Sequence, residues 1–110
     1  MNHYILKFSA DAEQMLETMY QYIRNEATSI EAARKWLSEL REACSGLTLF
    51  PSRYPLVSRN PWKALGLRKR PLGNYIIYYR ILDDVKEVHV VAITHSRQNQ
   101  WRALTDFHME

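Results

Sequence analysis

The chain has 110 residues, of which 46% are hydrophobic and 25% charged, and its formal net charge is +3. This length and composition are typical of one folded globular domain and exclude an intrinsically disordered chain. No apolar run approaches the ~18 residues that a membrane span needs. The first residues lack the pattern of a secretory signal, so we expect a single cytoplasmic domain over residues 1–110.

The charge is distributed unevenly along the chain. Residues 50–82 contain seven basic and no acidic residues, whereas residues 9–42 contain seven acidic and four basic ones. A one-signed stretch of this length attracts polyanions or an acidic protein surface. The alternative interpretation is a solvated basic surface without a partner.

The N-terminal half predicts one strand and two helices. Tyr4–Phe8 is rich in aromatic and β-branched residues, which is typical of a strand. Ser9 is a suitable helix N-cap, and apolar residues then recur at helical spacing up to Ile23. A second helical stripe extends to Leu47 after a capping-box sequence, in which Thr28 is the predicted cap. The short connection between the stripes predicts an antiparallel helical hairpin.

The C-terminal half predicts a loop, three strands and a short last helix. Residues 51–66 contain three prolines and resemble an ordered loop rather than a linker. Strands are predicted at 67–72, 75–82 and 87–94, with short turns that imply two antiparallel hairpins, and the helix is predicted within 98–107. The order β-α-α-β-β-β indicates an α+β fold, with the helical hairpin packed on one face of a small antiparallel sheet.

Alternation along the strands predicts which side chains lie on the uncovered face of this sheet. Arg80 is costly to bury and His89 is polar, so we place both outside. The other residues expected on the uncovered face are Ile76, Tyr78, Val91, Ile93, His95 and Arg97. Those expected against the helices are Tyr75, Ile77, Tyr79, Ile81, Val88, Val90 and Ala92. A β-bulge would reverse this assignment beyond the point where it occurs.

Four segments together have the sequence pattern of a known protein family. They are Leu49-Phe50-Pro51, Gly66-Leu67-Arg68, the stretch from Gly73 to Ile81, and the stretch from Val90 to Arg97. With the element order, they resemble the ParE branch of the RelE/ParE toxin superfamily over about residues 4–97. The resemblance implies a toxin of a type II toxin–antitoxin system that inhibits DNA gyrase, and it implies roles in growth arrest and plasmid maintenance. It also implies a cognate antitoxin that neutralises the toxin.

The resemblance leaves three functions open, namely a gyrase inhibitor, a RelE-like ribosome-dependent mRNA endonuclease, and a non-toxic binding module. The endonuclease needs charged groups around the scissile phosphate. The residues available for these roles are Lys69, His95 and Arg97. The arginine and tyrosine that the RelE pattern also requires fall on Ile76 and near Ala103, so two roles are empty. We therefore favour the gyrase inhibitor, which needs no catalytic group.

Two partner surfaces are predicted. The predicted target-binding face consists of Arg68, Lys69, Arg70, Tyr78, Arg80, His95 and Arg97. The predicted antitoxin-binding residues are Met15, Met19, Tyr22 and Trp36, for which ordinary core packing is the alternative. His95 has two interpretations: an acid or base near neutral pH, or a hydrogen-bond partner of the backbone at a strand end.

No cofactor or metal is expected, because the sequence has no ligand spacing or phosphate-binding loop. The sequence leaves open whether the free toxin forms a homodimer. It also leaves open how many toxin and antitoxin chains form the hetero-oligomer.

Overall fold

The structure is a computed structural model that describes residues 3–26 and 29–105. Its strands and helices are β1 (Ile5–Phe8), α1 (Ala10–Glu26), α2 (Ile30–Ser45), β2 (Arg68–Leu72), β3 (Tyr75–Leu82), β4 (Glu87–His95) and α3 (Gln100–Thr105). Two single-turn 3-10 helices, Gly46–Thr48 and Pro51–Arg53, follow α2. The predicted element order is thereby confirmed. Within the described ranges, no helix has the length and apolar character needed to cross a membrane.

Serine side chains begin both long helices. The Ser9 hydroxyl accepts a hydrogen bond from the Ala12 N–H at 3.0 Å, and the Ser29 hydroxyl accepts one from the Ala32 N–H at 3.2 Å. Each bond satisfies a backbone donor that a helix N-terminus would leave free, which stabilises a helix by about 1 kcal/mol. The prediction for Ser9 is confirmed. The predicted second cap, Thr28, lies outside the described residues, and Ser29 occupies the N-cap position of α2.

The four strands form one mixed sheet in the order β1-β4-β3-β2. The pairs β2–β3 and β3–β4 are antiparallel, so both predicted hairpins are confirmed. β1 runs parallel to β4, which makes the sheet mixed rather than wholly antiparallel. Side-chain alternation is the same in parallel and antiparallel strands, and the sequence pattern therefore carries no signal for the direction of β1.

A β-bulge in β4 reverses the predicted alternation. The pairing with β3 shifts by one residue at Val91, which is an extra residue on β4. Up to this point the predicted orientations agree with the structure. Beyond it, the predictions are wrong, because Ala92 lies on the face away from the helices and Ile93 lies against them. An added residue on one strand moves every later side chain to the other face.

The helices cover one face of the sheet, and other segments cover part of the second face, where Ile5 of β1 stays 59% exposed. The first core lies between the helices and the sheet, and its largest fully buried members are Leu40, Leu47, Ile77, Tyr79 and Ile93. The second core lies on the other face and contains Val57, Leu67, Tyr78, Val91, Ala92 and Leu104. The prediction that this face is free is therefore wrong. The loop before β2 and the helix α3 fold over it, which short-range patterns in these segments do not indicate.

Tyr79 connects the first core to the loop that follows α2. Its side chain is 0% exposed, and its hydroxyl donates a hydrogen bond to the carbonyl oxygen of Pro51. Burial raises the pKa of Tyr79 to about 12, and burial also raises the pKa of the Cys44 thiol to about 12. Both groups therefore stay neutral in the folded protein at pH values that ionise them in the unfolded chain.

We expect the substitution Tyr79→Phe to lower the free energy of unfolding by about 1 kcal/mol at neutral pH, because the Pro51 carbonyl loses its donor. Because folding raises the pKa of Tyr79, its contribution to the free energy of unfolding is complete below the tyrosine pKa of the unfolded chain. This contribution is lost as the pH rises toward the pKa of Tyr79 in the folded protein. Urea denaturation should therefore show a smaller alkaline loss of stability in the variant than in the wild type. An equal alkaline loss in the two proteins would contradict this role of Tyr79.

Candidate functional site

A groove lies between α1 and the C-terminal end of β4. It encloses about 760 Å³ and is lined by α1, by the ends of β3 and β4, by the turn after β4 and by α3. The α1 side chains in its wall are Asp11, Gln14, Met15, Thr18, Met19 and Tyr22. Three of the four residues predicted to bind an antitoxin are in this set. The groove therefore combines adaptable methionine and aromatic side chains with polar groups from the opposite wall.

The fourth predicted antitoxin residue, Trp36, supports the groove from behind. Its ring packs against the Tyr75 ring with 5.3 Å between centroids, and the Tyr75 ring meets the His95 ring at 5.2 Å. Tyr75 and His95 line the groove, whereas Trp36 does not. Trp36 therefore positions the groove wall through Tyr75. Its packing in the first core agrees with the alternative interpretation of this residue.

His95 lies on the helical face of the sheet and not beside Tyr78 and Arg80, because it follows the bulge. Its Nδ1 accepts a hydrogen bond from the Arg97 N–H at 3.1 Å. The backbone N–H of His95 donates a hydrogen bond to the Gln98 side-chain oxygen at 2.7 Å. His95 therefore closes the turn after β4. These contacts agree with the interpretation of His95 as a hydrogen-bond partner of the backbone at a strand end.

Gln100 holds α3 and the end of the groove against the sheet. Its Oε1 accepts a hydrogen bond from the Tyr78 hydroxyl at 2.8 Å and another from the Thr94 hydroxyl. Its Nε2 donates to the carbonyl oxygens of His95 at 2.8 Å and Gln98 at 3.0 Å. One side chain thus satisfies two hydroxyls and fixes the turn that carries part of the groove. Gln100 was not predicted as a functional residue, because a polar residue in a short tail helix has no distinctive sequence signal.

The predicted target-binding face is not one surface. Side chains alternate along β2, so that Lys69 lies on the face of the second core, whereas Arg68 and Arg70 lie on the helical face opposite Tyr79 and Ile77. The bulge places His95 on the helical face as well. The prediction that these side chains share one uncovered face is therefore wrong.

The remaining members of the predicted face also differ in accessibility. Tyr78 is 3% exposed and bonded to Gln100, so it belongs to the second core rather than to a contact surface. Arg80 is half-buried and lies opposite His89 on the same face as Lys69. Arg97 is exposed and lines the groove. The seven residues of the predicted target-binding face thus lie at three places: the sheet face that carries the second core, the groove, and the edge of the sheet formed by β2.

An arginine cluster surrounds Tyr54 at the β2 edge. Arg68 donates hydrogen bonds to the carbonyl oxygens of Tyr54 at 2.7 Å and Ser52 at 3.2 Å. The guanidinium carbons of Arg53 and Arg70 each lie 5.2 Å from the centre of the Tyr54 ring. None of the ion pairs within residues 3–26 and 29–105 involves these arginines. All three arginines lie in the basic stretch 50–82, and two of them, Arg68 and Arg70, belong to the predicted target-binding face, but the cluster around Tyr54 was not predicted.

A family model described as the ParE toxin of the type II toxin–antitoxin system parDE matches residues 6–100. The chain belongs to the ParE toxin family. It is therefore a toxin of the type II toxin–antitoxin class, and the resemblance inferred from its residues is confirmed. None of the curated proteins matches the ParE-family chain.

Solved structures of toxin–antitoxin systems share the fold of this ParE-family toxin. The chromosomal ParDE toxin–antitoxin system from P. aeruginosa matches with a TM-score of 0.71 and 19% identity, over 86% of this chain and 98% of that chain. The toxin–antitoxin complex RelBE2 from Mycobacterium tuberculosis matches with a TM-score of 0.65 and 22% identity, over 86% and 93% of the two chains. Identities at this level show a common fold alone.

We expect Gln100→Ala to lower the free energy of unfolding by roughly 1–3 kcal/mol, because the Tyr78 and Thr94 hydroxyls lose their acceptor. Urea denaturation followed by tryptophan fluorescence measures this loss, since Trp101 is the next residue of α3. The control Gln21→Ala removes an exposed glutamine from α1 and should change stability by less than about 0.5 kcal/mol. Equal effects of the two substitutions would contradict the anchoring role of Gln100.

Proposed function

We propose that this ParE-family toxin inhibits DNA gyrase by binding it, without a reaction of its own, and that a cognate antitoxin neutralises it. The observation that carries the proposal is the match of the ParE toxin model to residues 6–100. The two structural neighbours, a ParDE system and a RelBE complex, support an antitoxin as one partner. Gyrase as the target follows from the ParE resemblance of the sequence.

The placement of the cationic side chains favours binding over RNA cleavage. A nuclease of the RelE kind needs its charged groups around one scissile phosphate. Of the residues predicted for that role, Lys69 lies on the face of the second core and His95 on the helical face, so the sheet separates them. His95 also uses its Nδ1 to accept the Arg97 N–H. This separation of Lys69 from His95 supports the binding proposal over the endonuclease alternative.

The groove between α1 and β4 is the proposed antitoxin site. Met15 and Met19 are half-buried in its wall, and Tyr22 is 64% exposed beside them. Methionine adapts its shape to a partner, and such a groove suits the apolar face of an amphipathic helix. Arg97 in the opposite wall offers a cation to acidic residues of the same segment.

We expect purified toxin to reduce the supercoiling of relaxed plasmid by purified DNA gyrase and to increase the amount of cleaved DNA. Incubation with the antitoxin before the assay should restore supercoiling. Full supercoiling activity at saturating toxin would contradict the proposal. Cleavage of messages in expressing cells, detected by primer extension, would instead favour the endonuclease.

The substitution Met19→Glu should weaken antitoxin binding by about tenfold or more, because a carboxylate replaces an apolar contact in the groove. Isothermal titration with the antitoxin measures the change. Met19→Leu is the matched control, since it keeps an apolar side chain of similar volume and should retain affinity within about threefold. A folded Met19→Glu toxin with unchanged affinity would contradict the assignment of the groove.

A further inference from the structure

Phe50 is exposed at the corner between the two 3-10 helices. Its side chain is 70% exposed, the largest fraction among the exposed large hydrophobic residues of the described ranges. Its backbone has φ 51° and ψ 57°, in the left-handed region that disfavours a bulky residue and favours glycine. The corner thus holds an aromatic ring in water on a strained backbone. Strained residues and exposed apolar groups of this kind are concentrated at binding surfaces.

The arginine cluster lies directly beside Phe50. The Arg53 N–H donates to the Phe50 carbonyl oxygen at 3.1 Å, and the Arg53 side chain donates to the Gly46 carbonyl oxygen at 3.2 Å. The Arg70 guanidinium contacts the Tyr54 ring, which places Arg70 at the same corner. The Nε of Arg70 is buried and has no hydrogen-bond partner among the described residues. Phe50 is therefore bonded through its backbone to an arginine cluster whose guanidinium groups form no ion pair with a carboxylate among the described residues.

The corner and the groove are separate surfaces. The groove is lined by α1, α3, the ends of β3 and β4 and the turn after β4. The corner is built from the segment 50–54 and from β2. No residue of the corner lines the groove. A partner at the corner therefore does not need the contacts that we assign to the antitoxin.

We propose that the corner of Phe50, Arg53, Tyr54, Arg68 and Arg70 docks an acidic protein partner. In this complex the Phe50 ring enters an apolar pocket, and the guanidinium groups pair with carboxylates around that pocket. The inference rests on the proposed function, which identifies this partner as the target enzyme, gyrase, rather than the antitoxin.

The composition of the corner fits a protein partner better than a nucleic acid. Aromatic residues and arginine dominate the centres of protein–protein interfaces, and guanidinium groups bind carboxylates in a two-point geometry. Stacking of bases needs free aromatic faces. The Tyr54 ring is already in contact with two guanidinium groups, which leaves Phe50 as the exposed ring of the corner.

Direct binding of the full-length toxin to purified gyrase without DNA, measured by biolayer interferometry, tests the inference. We expect Phe50→Gly and Arg53→Glu each to weaken gyrase binding by about tenfold or more, the usual effect of removing an interface hot spot. Phe50→Gly should fold at least as well as the wild type, because glycine suits the left-handed backbone and the exposed ring packs little. Antitoxin affinity should stay within about twofold in both variants, since neither residue lines the groove.

Arg34→Glu is the matched control, since Arg34 is exposed on α2 and outside the corner, and it should bind gyrase like the wild type. Absence of gyrase binding by the wild type would overturn the proposed function and this assignment with it. Wild-type binding with unaffected corner variants would overturn the corner alone. Loss of antitoxin binding in Phe50→Gly, or wild-type binding to a DNA duplex that Arg53→Glu removes, would overturn gyrase as the occupant.

Discussion

One extra residue in β4, Val91, determines where the later side chains of the last strand point. Because of this bulge, Ile93 completes the core beneath the helices and Thr94 turns toward Gln100. His95 and the turn that follows it become part of the groove beside α1. Without the bulge, His95 and the turn that follows it would lie on the opposite face, whereas alternation along β2 would still separate Lys69 from Arg68 and Arg70.

The bulge and the cover over the second face together restrict the surfaces that a partner can reach. The loop before β2 and α3 bury Tyr78 in the second core, and Gln100 fixes this arrangement. Two accessible features remain prominent, the methionine-lined groove and the arginine corner around Tyr54. These two features are the surfaces at which we propose that partners bind.

Local patterns predict most of the elements but not their mutual arrangement. The spacing of apolar residues predicts both long helices, and alternation in β3 places Ile77 and Tyr79 against them correctly. The direction of β1 and the bulge at Val91 leave no trace in composition, because each depends on pairing between strands. The family resemblance can be recognised from short sequence segments, because these segments occur in the same order along the chain as in the ParE family.

The candidate site is predicted only in part, for similar reasons. Met15, Met19 and Tyr22 line the groove together, because their spacing in α1 places them on one side of the helix, and their role in antitoxin binding stays a prediction. The charge pattern identifies Arg68 and Arg70 but assigns them to the wrong face, since it takes no account of alternation along β2. Phe50 was missed as an exposed residue, because its exposure results from the left-handed turn before Pro51.

Nuclear Overhauser effects from the His95 ring of the free toxin test the central role of the bulge most directly. The structure places the His95 and Tyr75 ring centroids 5.2 Å apart, so cross-peaks between these two rings are expected. Cross-peaks from His95 to the Ile76 side chain in place of those to Tyr75 would show that the strand continues without a bulge, since the unshifted pairing would put these two residues on the same face. That result would place His95 and the turn after β4 on the face of the second core and contradict the position of the groove beside α1.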